Sequence, residues 1–364
     1  MQTTVSGAPT IIRAARDRIR HQTGFRELTD KIQAAGLLER RYGFYWSMMA
    51  GAVAAFVAIS IGMVLLGDSW YQLILAGILG VVLSQIGFLG HEAAHRQMFR
   101  SPHWNEWVAR VLSTLMVGLS YGWWMNKHNR HHANPNKQGT DPDVNNKFVA
   151  LTPVSANLRN GLTERLGRVQ GFFFLPLLLL EGMSLHVASV QYLFRRGTVK
   201  RRPVEIAFMV TRIVGWPVFL FIFFPPGLAA AFLGVQLAVF GFLLGAAFAP
   251  NHIAMPIVPP DSQVDFVRRQ VVMSRNISGG PLVRFFMGGL ENQVEHHLFP
   301  MMARPNLKRA QQIVREHCQQ HGIPYTETTL RQSYGTILRY LNQVGLTKRT
   351  STFACPLVQF YRVS

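Results

Sequence analysis

Three stretches of this chain, residues 44–66, 70–89 and 228–248, are apolar from end to end and carry no charged side chain. A fourth, residues 206–224, carries only Arg212. At about 1.5 Å per helical residue, runs of this size match the roughly 30 Å hydrocarbon core of a bilayer. Gly67-Asp68-Ser69 separates the first two and Pro225-Pro226-Gly227 the last two, so the four runs read as two transmembrane hairpins. Tyr45 and Trp46 open the first run, where interfacial aromatics belong. Composition agrees: 49% of residues are hydrophobic and only 15% charged, against about a quarter charged in soluble proteins.

Charge and cysteine content narrow the class. The formal charge of +19 is strongly basic. The Lys and Arg residues form no single tract but border the apolar runs, which fits an anionic membrane face and not nucleic acid. Arg13, Arg16, Arg18 and Arg20 crowd a polar head, residues 1–43, that reads either as a basic amphipathic helix on the membrane or as a solvated arm. It shows no signal-peptide pattern. Two cysteines, Cys318 and Cys355, are too few for a disulfide framework or an iron–sulfur cluster.

Seven of the 13 histidines fall in three clusters: His91-Glu-Ala-Ala-His95, His128-Asn-Arg-His131-His132 and Gln293-Val-Glu-His296-His297. Positions i, i+3 and i+4 share one helix face, so each cluster predicts a short imidazole row on one side of a helix. Three such rows exceed what one tetrahedral zinc needs. Imidazole suits iron, copper and zinc alike, so the ligands do not select the metal. The first cluster also matches the H-E-x-x-H zinc protease motif with Glu92 as general base, but that reading leaves the other two clusters without a role.

One metal site requires all three clusters on the same side of the membrane, so the number of crossings between His132 and His296 must be even. The hairpin of residues 206–224 and 228–248 supplies two. Residues 172–194, interrupted by Pro176, Glu181 and His186, are therefore expected to lie in the interface. Both turns lack Lys and Arg, whereas the head, the segment Arg195 to Arg202 and the tail are basic, which places the termini in the cytoplasm. The expected fold is an all-α integral membrane protein with four transmembrane helices and a cytoplasmic helical cap carrying the histidines. A segment of residues 1–43 precedes this core, residues 44–305, and a cytoplasmic segment, 306–364, follows it. No role is apparent for residues 351–364.

The order and spacing of the three boxes, H-x3-H, H-x2-HH and Q-x2-HH, around two apolar hairpins resemble the membrane fatty acid desaturase family. The resemblance covers roughly residues 44–305. It implies two iron ions on the cytosolic side, O2 as co-substrate and a long acyl chain, carried on CoA or a lipid, that acquires a double bond. Carried over by position, the metal ligands are His91, His95, His128, His131, His132, His296 and His297. His252, just after the last span, is placed for a further ligand. Gln293 stands where many members have histidine, as a weak ligand or a hydrogen-bonding neighbour.

Acids beside the boxes, Glu92, Asp141, Asp143, Glu291 and Glu295, are candidates for orienting the imidazoles. Trp123 and Trp124 fit an interfacial belt better than the wall of an acyl tunnel. Glu181 and Arg212 are expected to be satisfied interior groups rather than catalysts. Neither a His-Pro-Gly-Gly haem motif nor a ferredoxin cysteine set is present, so a separate ferredoxin- or cytochrome-type donor with its reductase is implied, drawn to the basic face. A lipid hydroxylase on the same scaffold and a membrane metal-binding or transport protein are the other readings.

Overall fold

The computed structural model describes residues 24–144 and 149–346. Arg13 to Arg20 and residues 351–364 lie outside the described residues. Residues 24–34 form α1. It is followed by α2 (Tyr42–Leu66) and α3 (Gln72–Ala94), which make the first hairpin. α2 is apolar on every side and turns Val53, Val57, Ile61, Val64 and Leu65 outward. A helix with no polar face that exposes such residues is solvated by lipid, not water. α3 is the inner partner, burying Leu79, Leu83, Ile86 and Leu89. Gln72 closes the turn: its Nε2 donates to the carbonyls of Met63 at 2.8 Å and Gly67 at 2.9 Å.

α4 (Pro102–Arg110) runs into a π-helical stretch, Val111–Val117, that ends at left-handed Gly118 (φ 90°). α5 (Tyr121–Ala133) then carries the second histidine cluster. Short α6 (Pro153–Asn157) and α7 (Gly161–Gly167) lead to α8 (Gln170–Leu178) and α9 (Glu181–Phe194). These two are the segment expected to lie in the interface; they are bent by 73° at the break between them.

The second hairpin consists of α10 (Arg202–Val210), a π-helical turn at Thr211–Gly215, α11 (Trp216–Phe223) and α12 (Pro226–His252). Among the described residues, four helices are long and apolar enough to cross a membrane: Tyr42–Leu66, Gln72–Ala94, Arg202–Phe223 and Pro226–His252. α12 packs along α3 and α9. At Gly80, an added Cβ would lie 2.9 Å from the Gln236 carbonyl, and at Gly241 one would lie 2.3 Å from the Gly182 nitrogen. Small residues let the backbones approach where lipid supplies no hydrophobic drive. α3 and α12 both end at histidines, so the first box and His252 emerge at one end of the bundle.

That end is capped by α13 (Phe266–Val272), α14 (Pro281–Met287), α15 (Gln293–Leu298), α16 (Arg304–Gln320) and α17 (Leu330–Leu346). Leu28 and Ile32 of α1 pack with Val271, Leu298, Leu307 and Val314 in a core separate from that of the spans. The all-α expectation needs one correction. Asn276–Ser278 (β1) and Glu327–Thr329 (β2) pair in parallel, because two extended linkers side by side satisfy each other's backbone groups.

Candidate metal centre

The three boxes and His252 meet in two groups. His91, His95, His128, His132 and His296 place one ring nitrogen each within 4.8 Å of one another, and His131, His252 and His297 do the same. The groups are contiguous: the rings of His132 and His297 stack with centroids 4.3 Å apart. The helical spacing read from the sequence produces the split. On α5, His128 and His132 face the first group, while His131 turns to the second.

In the five-histidine group, the Nε2 atoms of His91, His95 and His132 lie 3.0, 2.8 and 3.0 Å from His128 Nε2. A neutral imidazole has one N–H, so one nitrogen cannot satisfy three others by hydrogen bonds. Four lone-pair-bearing nitrogens turned toward each other are suited to a shared cation. The Nε2 atoms of His296 and His297 are buried without a hydrogen-bond partner, which fits the same requirement.

The three-histidine group is anchored from behind. His131 Nδ1 donates to Asp141 Oδ2 at 2.9 Å, His297 Nδ1 to Gln270 Oε1 at 2.9 Å, and His252 Nδ1 to the Met273 carbonyl at 3.1 Å. Each bond holds the proton on Nδ1 and makes Nε2 the unprotonated nitrogen, the one able to bind metal. Gln293 Nε2 lies 2.9 Å from His252 Nε2, while its Oε1 accepts from Asn251 at 3.4 Å. Gln293 is thus a direct neighbour of this group.

Burial, then the neighbouring imidazoles, holds His128, His132, His296 and His297 well below the ordinary histidine range. Burial alone brings His95 down to about 3. His131 differs: burial pushes it down, but Asp141 and Asp143 outweigh that and raise it. The rings are therefore mostly neutral, as metal ligation requires.

Of the acids expected to orient imidazoles, Asp141 does so and is itself fixed by the backbone N–H groups of Asn136 and Asp143 at 2.8 and 2.9 Å. Asp143 lies 3.4 Å from His131 and pairs with Lys127. The other three are turned elsewhere. Glu92 pairs with Arg304, Glu291 accepts from Asn292 at 3.0 Å, and Glu295 accepts from Asn276 at 2.6 Å and Tyr325 at 2.8 Å. A glutamate held by Arg304 is not poised as a protease base, which removes the mechanical core of that alternative.

An apolar cavity of about 210 Å³ opens beside the histidines. His91, His128, His131 and His252 reach into it, and Phe174, Leu178, Leu244 and Phe248 wall it. Trp124 lines it too, stacked on His128 at 4.5 Å and 23°, which assigns it to the cavity wall and not to the belt expected from its sequence position. Glu181 also lines the cavity. Arg212 donates to the Met116 carbonyl at 2.8 Å, so it is a satisfied interior group. Gln270 escaped the sequence reading: a lone glutamine 26 positions before His296 belongs to no motif.

A family model described as fatty acid desaturase matches residues 68–329, most of the chain and all three boxes. The chain belongs to the fatty acid desaturase family. A Delta(8)-fatty-acid desaturase of Helianthus annuus is 25% identical over 358 residues, spanning 91% of this chain and 75% of the relative. An acyl-lipid (9-3)-desaturase of Physcomitrium patens is 31% identical over 284 residues, 74% of this chain and 53% of the relative. A Delta(6)-fatty-acid desaturase of Caenorhabditis elegans is 27% identical over 339 residues, 88% of this chain and 74% of the relative. This desaturase-family chain is accordingly an oxidoreductase of lipid metabolism, with four helices suited to a membrane.

Proposed function

We propose that the chain is an O2-dependent desaturase that introduces a cis double bond into a long acyl chain, carried on CoA or a lipid, at a histidine-held di-iron centre. The observation that carries this reading is the pairing of two buried imidazole groups, five and three, with an apolar cavity. His91, His95, His128, His132 and His296 would hold one iron, and His131, His252 and His297, with Gln293 beside them, the other. Bound iron supplies the oxidising power, with O2, that side chains lack against an unactivated methylene. The net change takes two hydrogens from the chain and two electrons and two protons from outside, and O2 leaves as two waters.

The protein's own residues bind, orient and exclude water. Burial of each CH2 in the cavity contributes about 0.8 kcal/mol, so a long chain is held firmly. Trp124 and Phe248 keep its reacting segment against the histidines and away from solvent. Asp141, Gln270 and the Met273 carbonyl fix the rings of the three-histidine group. The electrons come from a separate ferredoxin- or cytochrome-type carrier with its reductase, docking on the basic cytoplasmic face. In this reading the core, residues 44–305, is completed by the tail, whose Tyr340 reaches the cavity.

Expression of the chain in a host lacking the product, followed by gas chromatography of total lipids, tests the function. A new unsaturated species is expected, absent with His131→Ala and absent when iron is chelated during turnover in membranes. Hydroxylated product, or none from a folded iron-loaded chain, overturns the proposal.

A further inference from the structure

A further cluster of metal-binding side chains lies away from the histidine boxes. Glu27 of α1 and His317 and His321 of α16 bring one ligand atom each within 4.8 Å of one another. None of the three lines the cavity or belongs to the two groups described above. His317 and His321 are i and i+4 at the end of α16, with their rings stacked at 4.0 Å. His321 Nδ1 donates to the His317 carbonyl at 2.9 Å, which fixes its proton and leaves Nε2 free. His317 is 2% exposed, and its Nδ1 is buried with no hydrogen-bond partner. Burial and the neighbouring His321 hold its ring below the ordinary histidine range, hence neutral.

On α1, Leu28 and Ile32 pack into the cap core, so Glu27 flanks that contact at the α16 surface. Gly24, one turn earlier, sits against His321: a Cβ there would lie 3.7 Å from its Nε2. Glu27 is paired with Lys31 at 2.7 Å, both side chains being close to half exposed. A solvated pair of this kind is weak and exchanges readily for a divalent cation.

We propose that Glu27, His317 and His321 form a zinc-type divalent metal site that clips α1 to α16, distinct from the iron centre. Two imidazoles and one carboxylate are a common zinc donor set, with water completing the tetrahedron. The site bridges two helices whose ends are joined by the long path from residue 27 to residue 317, so occupancy stabilises the docking of α1 on the cap. It has no part in oxygen chemistry.

The test uses the full, iron-loaded chain in detergent. It is incubated with zinc sulfate, desalted and assayed for zinc and iron by elemental analysis, with cobalt(II) as a spectroscopic substitute. Wild type is expected to retain about one zinc per chain in addition to its iron. His321→Gln and Glu27→Gln should each weaken zinc retention at least about tenfold and lose the visible cobalt bands, with iron content and desaturation unchanged. Both positions are outside the protein interior, and unchanged iron reports an intact fold. No retained zinc in wild type, or retention in both variants equal to that of wild type, overturns the proposal.

Discussion

Gln270 joins the two histidine groups through one side chain. Its Oε1 accepts from His297 Nδ1 at 2.9 Å, and its Nε2 donates to the His132 carbonyl at 3.0 Å. The residue is fully buried. Gln270→Leu preserves approximate volume but removes both bonds. Leaving the buried His297 N–H without an acceptor costs about 1–3 kcal/mol. Loss of such an outer partner typically lowers metal affinity or activity about 10–100-fold, which corresponds to about 1.4–2.7 kcal/mol, so the two estimates agree. Gln270→Leu should therefore lose iron to a competing chelator at about 10–100-fold lower chelator concentration and form correspondingly less unsaturated product. Gln270→Glu, which keeps the acceptor toward His297, should recover most of the iron retention. Helix content by circular dichroism serves as the folding control. If Gln270→Leu holds iron and turns over within about twofold of wild type, well inside that 10–100-fold range, the orienting role of this residue is refuted.

Two further outcomes follow from the scaffold. Glu205 is fully buried and accepts from Ser120 Oγ at 2.6 Å, Arg110 Nε at 3.1 Å and the Gly122 N–H at 3.2 Å, clamping the start of the helix that carries the second box. Glu205→Ala strands a buried charge and should destabilise by about 3–5 kcal/mol, seen as an early thermal melt in detergent, while Glu205→Gln should lose less. Single cysteines at Asp68 and Gly227, introduced with the native cysteines replaced, should react with an impermeant maleimide from outside intact cells, and one at Arg130 only after permeabilisation; the reverse pattern would invert the assigned orientation.

The spans were legible because uncharged apolar runs of bilayer length have few alternatives. The box histidines were legible because i, i+3, i+4 spacing is a local property that α3, α5 and α15 express directly. The partition of His128 and His132 from His131 depends on where α5 is rotated against α3 and α15, which no local pattern encodes. The acids beside the boxes show the same limit. Asp141 folds back on His131 through the turn after α5, whereas Glu92, about 100° around α3 from His91, meets an arginine over two hundred positions away. Trp124 looks interfacial in a one-dimensional reading, since its approach to Phe248 comes only when α5 docks against α12.

α3 and α12 run from the lipid into the histidine cluster, with His91 and His252 on their last turns. Insertion of one residue anywhere along either rod would twist its imidazole by about 100° and push it about 1.5 Å, far outside the tolerance of a coordination sphere. These two rods are gauges of fixed length. Changes in bilayer thickness across lineages should therefore be absorbed in α2, in α10 and α11, and at the two hairpin turns, leaving α3 and α12 free of insertions and deletions.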